Sequence, residues 1–246
     1  MLTQSGASPL ISIITATYNV RRLIPELVCS IAVQTFESYE WIIIDGASSD
    51  GTDDYLRTLA DVRIKVISEK DAGIYDALNK GISLALGDYL YFIGADDRLA
   101  DCEVLAKMQP LLKYGNSDIV TGQADVGRRT NFKSVVGLKA LILNSVHHQG
   151  AFYKRTLFDG FRYDVTEPVV ADYQLNLDIY LDRKKWVDSE TVVAVCGQAG
   201  ISNKTEEYSL YRSYHAIRQK RLGVFLSSFF LVVGIANLAR RRIFRR

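Results

Sequence analysis

The stretch Ser68-Glu69-Lys70-Asp71-Ala72-Gly73-Ile74-Tyr75-Asp76-Ala77-Leu78-Asn79-Lys80-Gly81, followed by Gly94-Ala95-Asp96-Asp97, decides how this chain reads. The first part opens a helix with small, polar and acidic residues. The second ends an apolar strand, residues 89–93, on two adjacent carboxylates. Such a pair presents hard oxygen ligands at a sheet edge. Mg²⁺ or Mn²⁺ accepts donors of this type and, through the ion, so does a diphosphate. Gly94 ahead of the pair permits the turn that lets the two carboxylates converge.

Outward from this stretch the pattern alternates. Residues 10–16 read as a buried strand, and 21–34 as a helix with Leu23, Ile24, Leu27, Val28 and Ile31 at helical spacing. Residues 39–45 are a second apolar strand. The turn-rich run 46–52 follows, with Thr52 expected to cap a helix over 53–60. A short strand at 64–67, a helix at 74–86 and the strand at 89–93 complete a β-α-β-α-β-α-β series. That series predicts an α/β fold with a mostly parallel central sheet flanked by helices. Ligands of such open sheets sit beyond the carboxyl ends of the strands. Thr15, Asp45, Asp71 and Asp97 all fall at or just after such ends.

The second half is less regular. Residues 101–114 read as helix, 118–121 as strand, 122–134 as polar loop, and 151–153 and 191–195 as short strands. Residues 171–182 fit either a strand, through alternation, or a helix, through Tyr173, Leu177 and Leu181.

The 246 residues are 48% hydrophobic and 24% charged, enough for one large α/β core. The net charge of +2 hides an asymmetry. Residues 218–246 hold eight basic side chains and no acid, which leaves the rest of the chain near −6. An acidic body without a nucleic-acid motif points away from DNA or RNA as a partner. Three cysteines without paired spacing argue against a disulfide framework and against zinc, and suit a reducing compartment. No basic stretch ahead of an apolar run opens the chain, so no signal peptide is expected.

Residues 222–239 carry no charge and are flanked on both sides by basic residues. As a helix they would reach about 27 Å, close to the hydrocarbon thickness of a bilayer. The expectation is a catalytic unit over 1–204 and a helical, basic, membrane-associating segment over 205–246. Membrane contact is expected through 222–246, whether by spanning, re-entering or lying in the interface; the alternative is a hydrophobic helix docked on the domain or on a partner subunit. The arginines near the terminus favour an anionic leaflet.

Several motifs together resemble the family 2 glycosyltransferases, which have the GT-A fold. They are Ile13-Ile14-Thr15-Ala16-Thr17-Tyr18-Asn19, Ile44-Asp45-Gly46-Ala47-Ser48-Ser49-Asp50-Gly51-Thr52, the Ser68–Gly81 run, Asp96-Asp97, and His148-Gln149-Gly150. The likeness covers roughly residues 9–200 and is greatest to bacterial members that build lipopolysaccharide, capsule or exopolysaccharide units.

The resemblance implies an inverting, metal-dependent transfer of a hexose from a nucleotide sugar (UDP-, GDP- or dTDP-linked) to a lipid-linked or oligosaccharide acceptor. The place implied is the cytoplasmic face of the bacterial inner membrane. By the same resemblance Thr15, Ala16, Thr17, Asn19, Asp45, Asp71, Lys80 and Asp96 line the nucleotide-sugar pocket. Asp97, with Asp96, holds Mg²⁺ or Mn²⁺. Asp172 is the catalytic base, with Asp164, Glu167 and Asp178 as neighbouring rivals. His148 contacts phosphate, metal or acceptor, and Gly200-Ile201-Ser202 is a late loop over the site. Asp45 suits a base ring N–H, or the capping of its own turn. A polyprenyl-phosphate glycosyltransferase and a catalytically inactive sugar-nucleotide-binding scaffold remain open alternatives, as does a homo-oligomer.

Overall fold

The computed structural model describes residues 8–135, 137–166, 169–197 and 207–244. Among them a nine-stranded sheet runs in the order β3-β2-β1-β4-β8-β6-β9-β5, with β7 beside β6. The strands are β1 (Ile11–Thr17), β2 (Tyr39–Asp45), β3 (Ile64–Ser68), β4 (Tyr89–Phe92), β5 (Arg98–Leu99), β6 (Ile119–Asp125), β7 (Phe132–Lys133), β8 (Ala151–Lys154) and β9 (Trp186–Val195). Strands β1 to β4, β6 and β9 point one way; β5, β7 and β8 oppose them. The carboxyl ends of the first group therefore meet the amino end of β8 along one rim. This is a GT-A-like α/β architecture.

Alternation along the buried strands sends successive side chains to opposite faces. Ile11, Ile13, Trp41 and Ile43 join one core with α1 (Ile24–Ala32), α2 (Thr52–Arg57) and α4 (Val104–Tyr114). Ile14, Ile42, Ile44 and Phe92 join the other with α3 (Ile74–Leu84) and α5 (Ala171–Leu181). Gly81 of α3 lies so close to β1 that a Cβ there would come within 2.5 Å of Ile14 Cγ2.

Four expectations are corrected or resolved by the structure. The helix-capping position belongs to Gly51, in the left-handed region at φ 86°; the Thr52 hydroxyl instead donates to Asp50 Oδ1 and accepts from the Val20 N–H. Part of the expected loop 122–134 is strand: β6 runs on to Asp125, and Phe132–Lys133 pairs with it. Residues 171–181 are helical, because one side packs on the sheet and the other on a further helix.

The uncharged C-terminal run is not one straight helix. α6 (Glu207–Phe244) breaks at Gly223, whose φ of 74° and ψ of 171° only glycine adopts readily. Beyond the break the chain folds back. Ser227 Oγ donates to the His215 carbonyl at 2.9 Å, and Gly234 lies against the Tyr211 ring. Nor do the three basic residues before the run form a free collar. Arg218 is buried, Lys220 pairs with Asp164, and Arg221 pairs with Asp178 and Asp182.

Candidate functional site

The rim begins at the ends of β1, β2 and β3. Asp45 is fully buried and accepts four hydrogen bonds: Thr17 Oγ1 at 3.0 Å, Ser48 Oγ at 2.5 Å, the Ser48 N–H at 2.9 Å and Ser68 Oγ at 2.7 Å. Burial pushes its carboxyl up, but the bonds from Ser48, Ser68 and Thr17 outweigh this and hold it below its ordinary value. Ala47, at φ 59°, turns Ser48 back onto the carboxylate. Asn19, also left-handed at φ 52°, ties the β1 end to the same turn. Its N–H donates to Ser48 Oγ, and its Oδ1 accepts from the Ser49 N–H. Asp45 thus caps its own turn. A base N–H reaching it must displace one of the rotatable hydroxyls.

Two sequence candidates in this region point elsewhere. The Thr15 side chain is buried in the core, where Oγ1 accepts from Trp41 Nε1 at 3.0 Å. Lys80 is taken up by Glu69 at 2.9 Å, Asp76 at 3.5 Å and the Lys70 carbonyl at 2.9 Å. Its neighbour Asn79 exchanges two bonds with the backbone of Tyr163. The Asn79-Lys80-Gly81 signature therefore packs α3 in place and is not turned to a ligand.

Thr17 and Asp71 do reach the rim, and Ala16 lies on β1 beside Ile44. Asp71 Oδ1 accepts from the Gly73 N–H, and a Cβ at Gly46 would come within 2.7 Å of Asp71 Oδ2 and 3.3 Å of Tyr18 Cδ2. Tyr18 is 65% exposed there and presents an aromatic face, a feature that no spacing in the sequence singles out.

The carboxylate pair follows β4. Asp97 is buried and accepts from the Gly94 N–H at 2.9 Å, Gln149 Nε2 at 3.0 Å and the Gly197 N–H at 2.8 Å. A Cβ at Gly94 would lie 2.6 Å from Asp97 Oδ2 and 3.3 Å from Asp96 Oδ1. The two carboxylates therefore converge over this glycine. The need for glycine is steric, since its φ is not positive. Gly197 fills the same role just after β9: a Cβ there would strike the Asp96 carbonyl and carboxylate.

Among the described residues no lysine or arginine pairs with Asp97, and no group of three or more His, Cys, Asp or Glu forms a metal cage. Burial, with Asp97 and Asp96 adding to it, pushes the neighbouring Cys196 thiol up to about 12. Two carboxylates converging over a glycine fit a divalent ion whose other ligands are diphosphate oxygens and water.

His148 and Gln149 bridge from this pair to Asp172. Gln149 Nε2 touches Asp97, while His148 Nδ1 lies 3.8 Å from Asp172 Oδ2. Asp172 stands in the first turn of α5 with its side chain 15% exposed. Burial lifts its carboxyl to about 6, against the lowering effect of the Asn144 hydrogen bond.

A buried chain of amides orients this carboxylate. The Tyr153 hydroxyl donates to Asn176 Oδ1, Asn176 Nδ2 donates to Asn144 Oδ1, and Asn144 Nδ2 donates to Asp172 Oδ2 at 2.7 Å. His147 is mostly buried, and burial, with His148 beside it, lowers its pKa to about 4, so it stays neutral. The rival acids are otherwise engaged. Asp164 accepts from Thr166 and Lys220, and Asp178 faces Arg221. Glu167 and Gly200-Ile201-Ser202 lie outside the described residues.

Asp97 and Asp172 thus share one stretch of rim, and Asp45 lies two strands along the same edge. A cavity of about 560 Å³ lies away from it, between α1 and residues 98–102.

Residues 12–167 match the family model described as Glycosyl transferase family 2. A PGL/p-HBAD biosynthesis glycosyltransferase of Mycobacterium bovis is 36% identical over 179 residues, covering 70% of each chain. The UDP-Glc:alpha-D-GlcNAc-diphosphoundecaprenol beta-1,3-glucosyltransferase WfgD of Escherichia coli is 27% identical over 180 residues, again 70% of each. Among solved structures, S. aureus TarS 1–349 in complex with UDP-GlcNAc superposes with a TM-score of 0.70 at 18% identity. That match covers 92% of this chain and 71% of that one. The chain spans 42% of a longer TarS chain.

Proposed function

The chain belongs to glycosyl transferase family 2, and from that premise we propose an inverting, divalent-cation-dependent hexosyltransferase. It takes a nucleotide sugar as donor and a lipid-linked or oligosaccharide acceptor, in cell-surface polysaccharide or glycolipid synthesis. The work is done at the cytoplasmic face of the membrane, with a catalytic unit over 1–204 and a membrane-associating segment over 205–246. One observation carries the reading. Adjacent residues, His148 and Gln149, join Asp172, the base in this reading, to the carboxylate pair along one stretch of rim.

In this reading the nucleoside lies along the ends of β1 to β3. There Thr17, Asn19 and Asp71 border it and Tyr18 offers a stacking face. Asp45 holds the Ser48 turn in shape and meets the base only by exchanging a hydroxyl. Asp97 and Asp96 would hold Mg²⁺ or Mn²⁺. The ion, when bound, offsets charge on the departing diphosphate.

The Asp172 carboxylate, held by the Asn144 bond to Oδ2, takes the proton of the acceptor hydroxyl. The acceptor oxygen bonds to the anomeric carbon as the carbon–oxygen bond to the diphosphate breaks. The electron pair leaves on the nucleoside diphosphate, so one base suffices and configuration inverts. His148 borders the acceptor side.

Names of relatives support the chemistry by class. TarS is described with UDP-GlcNAc, and WfgD acts on a diphosphoundecaprenol-linked sugar. The test is a panel of UDP-, GDP- and dTDP-sugars with Mn²⁺, Mg²⁺ or EDTA, scored for donor hydrolysis and for transfer. Expected are one preferred nucleotide, loss of turnover on chelation, and loss of transfer in Asp172→Asn with donor binding kept. Turnover indifferent to EDTA overturns the metal role, and full transfer by Asp172→Asn overturns the base.

A further inference from the structure

The geometry points to a C-terminal hairpin that lies in one leaflet of an anionic bilayer and does not cross it. It deepens the membrane reading above, and rests on the sugar-transfer reading only for its consequence at the active site. The hairpin is closed by specific contacts. Ser227 Oγ donates to the His215 carbonyl, and His215 Nδ1 lies 2.8 Å from the same Oγ. His215 Nε2 faces Gln219 Nε2 at 3.0 Å. Since Ser227 spends its proton on the carbonyl, Nδ1 carries the ring proton and Nε2 accepts from Gln219. At the far end Gly234 admits the Tyr211 ring, where a Cβ would come within 2.6 Å of Cε1. Ser227, Gly234 and Leu238 thus make the inner, buried stripe of the second arm.

The outer stripe is apolar and uncovered. Phe225 is 94% exposed, and Val224, Leu226, Phe229 and Val232 are each nearly half exposed or more. A soluble chain gains nothing from that face in water. No charge interrupts residues 222–239, and five arginines (Arg240, Arg241, Arg242, Arg245, Arg246) follow. Aromatic and aliphatic side chains beside an arginine cluster suit acyl chains beside anionic headgroups, the pattern of an in-plane helix buried about 5–10 Å deep. Spanning would strip Ser227 and His215 of each other and pull Gly234 from Tyr211.

The first arm fixes where this face stands. Arg218 Nη1 donates to the Ile142 carbonyl at 3.0 Å and lies 3.4 Å from the Tyr173 hydroxyl; Tyr214 packs on the Tyr173 ring. Tyr173 follows Asp172, and Ile142 precedes Asn144 by two residues. The hairpin is therefore mounted on the two segments that carry the proposed base and its amide partner. The acceptor class this favours is one anchored in the same leaflet, with its sugar at headgroup level.

The test uses the full chain and vesicles of phosphatidylcholine, with or without about one-third phosphatidylglycerol. Wild type is expected to float with the anionic vesicles. The variant Phe225→Asp/Phe229→Asp/Val232→Asp is expected to lose roughly tenfold or more of bound protein, because the buried apolar area is gone. Its donor hydrolysis stays unchanged. Val232→Trp, at the middle of the second arm, is expected to be quenched most by lipids brominated near the headgroup.

Strongest quenching by lipids brominated at the chain ends would mean a spanning helix and overturn the proposal. So would wild type floating no better than the triple variant. A dimer that the triple variant dissociates without changing flotation would give the face to a second copy and overturn the proposal as well. Flotation and quenching need no sugar donor, so their failure is separate from any failure of the transferase reading.

Discussion

At the scale of single residues, the proposed base Asp172 sets the pH dependence to be expected. The groups facing it are His147, His148, Asn144 and the tyrosines Tyr75, Tyr153, Tyr163 and Tyr214, whose hydroxyls it helps keep protonated. A base acts when ionised, and burial raises this carboxyl to about 6. Transfer is therefore expected to be full above pH 7 and to fall as pH drops through about 6, roughly tenfold per unit below it. A kcat–pH profile of transfer reads this directly. Asn144→Ala removes the one side-chain donor that Asp172 Oδ2 has among the described residues. The acid limb should then move to higher pH, and kcat at pH 7 should drop by about tenfold or more while donor KM holds. An acid limb that stays in place would show that Asn144 only packs. Asp172, the proposed base, was singled out in the sequence through its motif. Asn144 was not, because its value lies in an amide orientation set by Asn176, 32 residues away, and by Tyr153. Gly197 and Cys196 escape a sequence reading for a similar reason: Gly197 meets Asp97 across 100 positions of chain, and Cys196 is its neighbour.

At the scale of elements, the first four strands and three helices were readable from local periodicity, since each is buried by its sequence neighbours. The extension of β6 was not readable. Gly122–Asp125 is polar because it climbs toward the rim, and its partners are β7 and β9. A Cβ at Gly122 would stand 2.5 Å from the Thr191 carbonyl, which matches the register shift between these strands. Two glycines give opposite predictions. Gly81→Ala puts a methyl 2.5 Å from Ile14 Cγ2 at the α3–β1 seam and should cost about 1–3 kcal/mol, read as a lower Tm with kcat nearly kept. Gly94→Ala drives a methyl at the Asp97 and Asp96 oxygens, so Tm should barely move while the divalent-ion concentration for half activity rises. Equal stability losses in the two variants would contradict the placement of Gly94 at the site.

At the scale of the whole molecule, α5 connects the rim proposed for the reaction to the helix pair proposed to meet lipid. Asp172 begins α5, and Tyr173 and Leu177 on the same helix pack against Ile217 and Leu210 of the hairpin. The uncharged run at 222–239 was visible in the sequence; its folding back was not, because Gly223 alone marks the break and Ser227 and Gly234 acquire meaning only beside His215 and Tyr211. This arrangement separates two rates. Donor hydrolysis needs only the rim and water, and should not depend on how much lipid is present. Transfer to a lipid-linked acceptor needs enzyme and acceptor to meet in two dimensions. At fixed bulk acceptor and with all enzyme bound, diluting the acceptor about tenfold with inert anionic lipid should slow transfer by nearly the same factor, with hydrolysis unchanged. Parallel assays across a dilution series measure both. A transfer rate that ignores surface dilution would mean the acceptor reaches Asp172 from solution, and the hairpin would then have no part in presenting it.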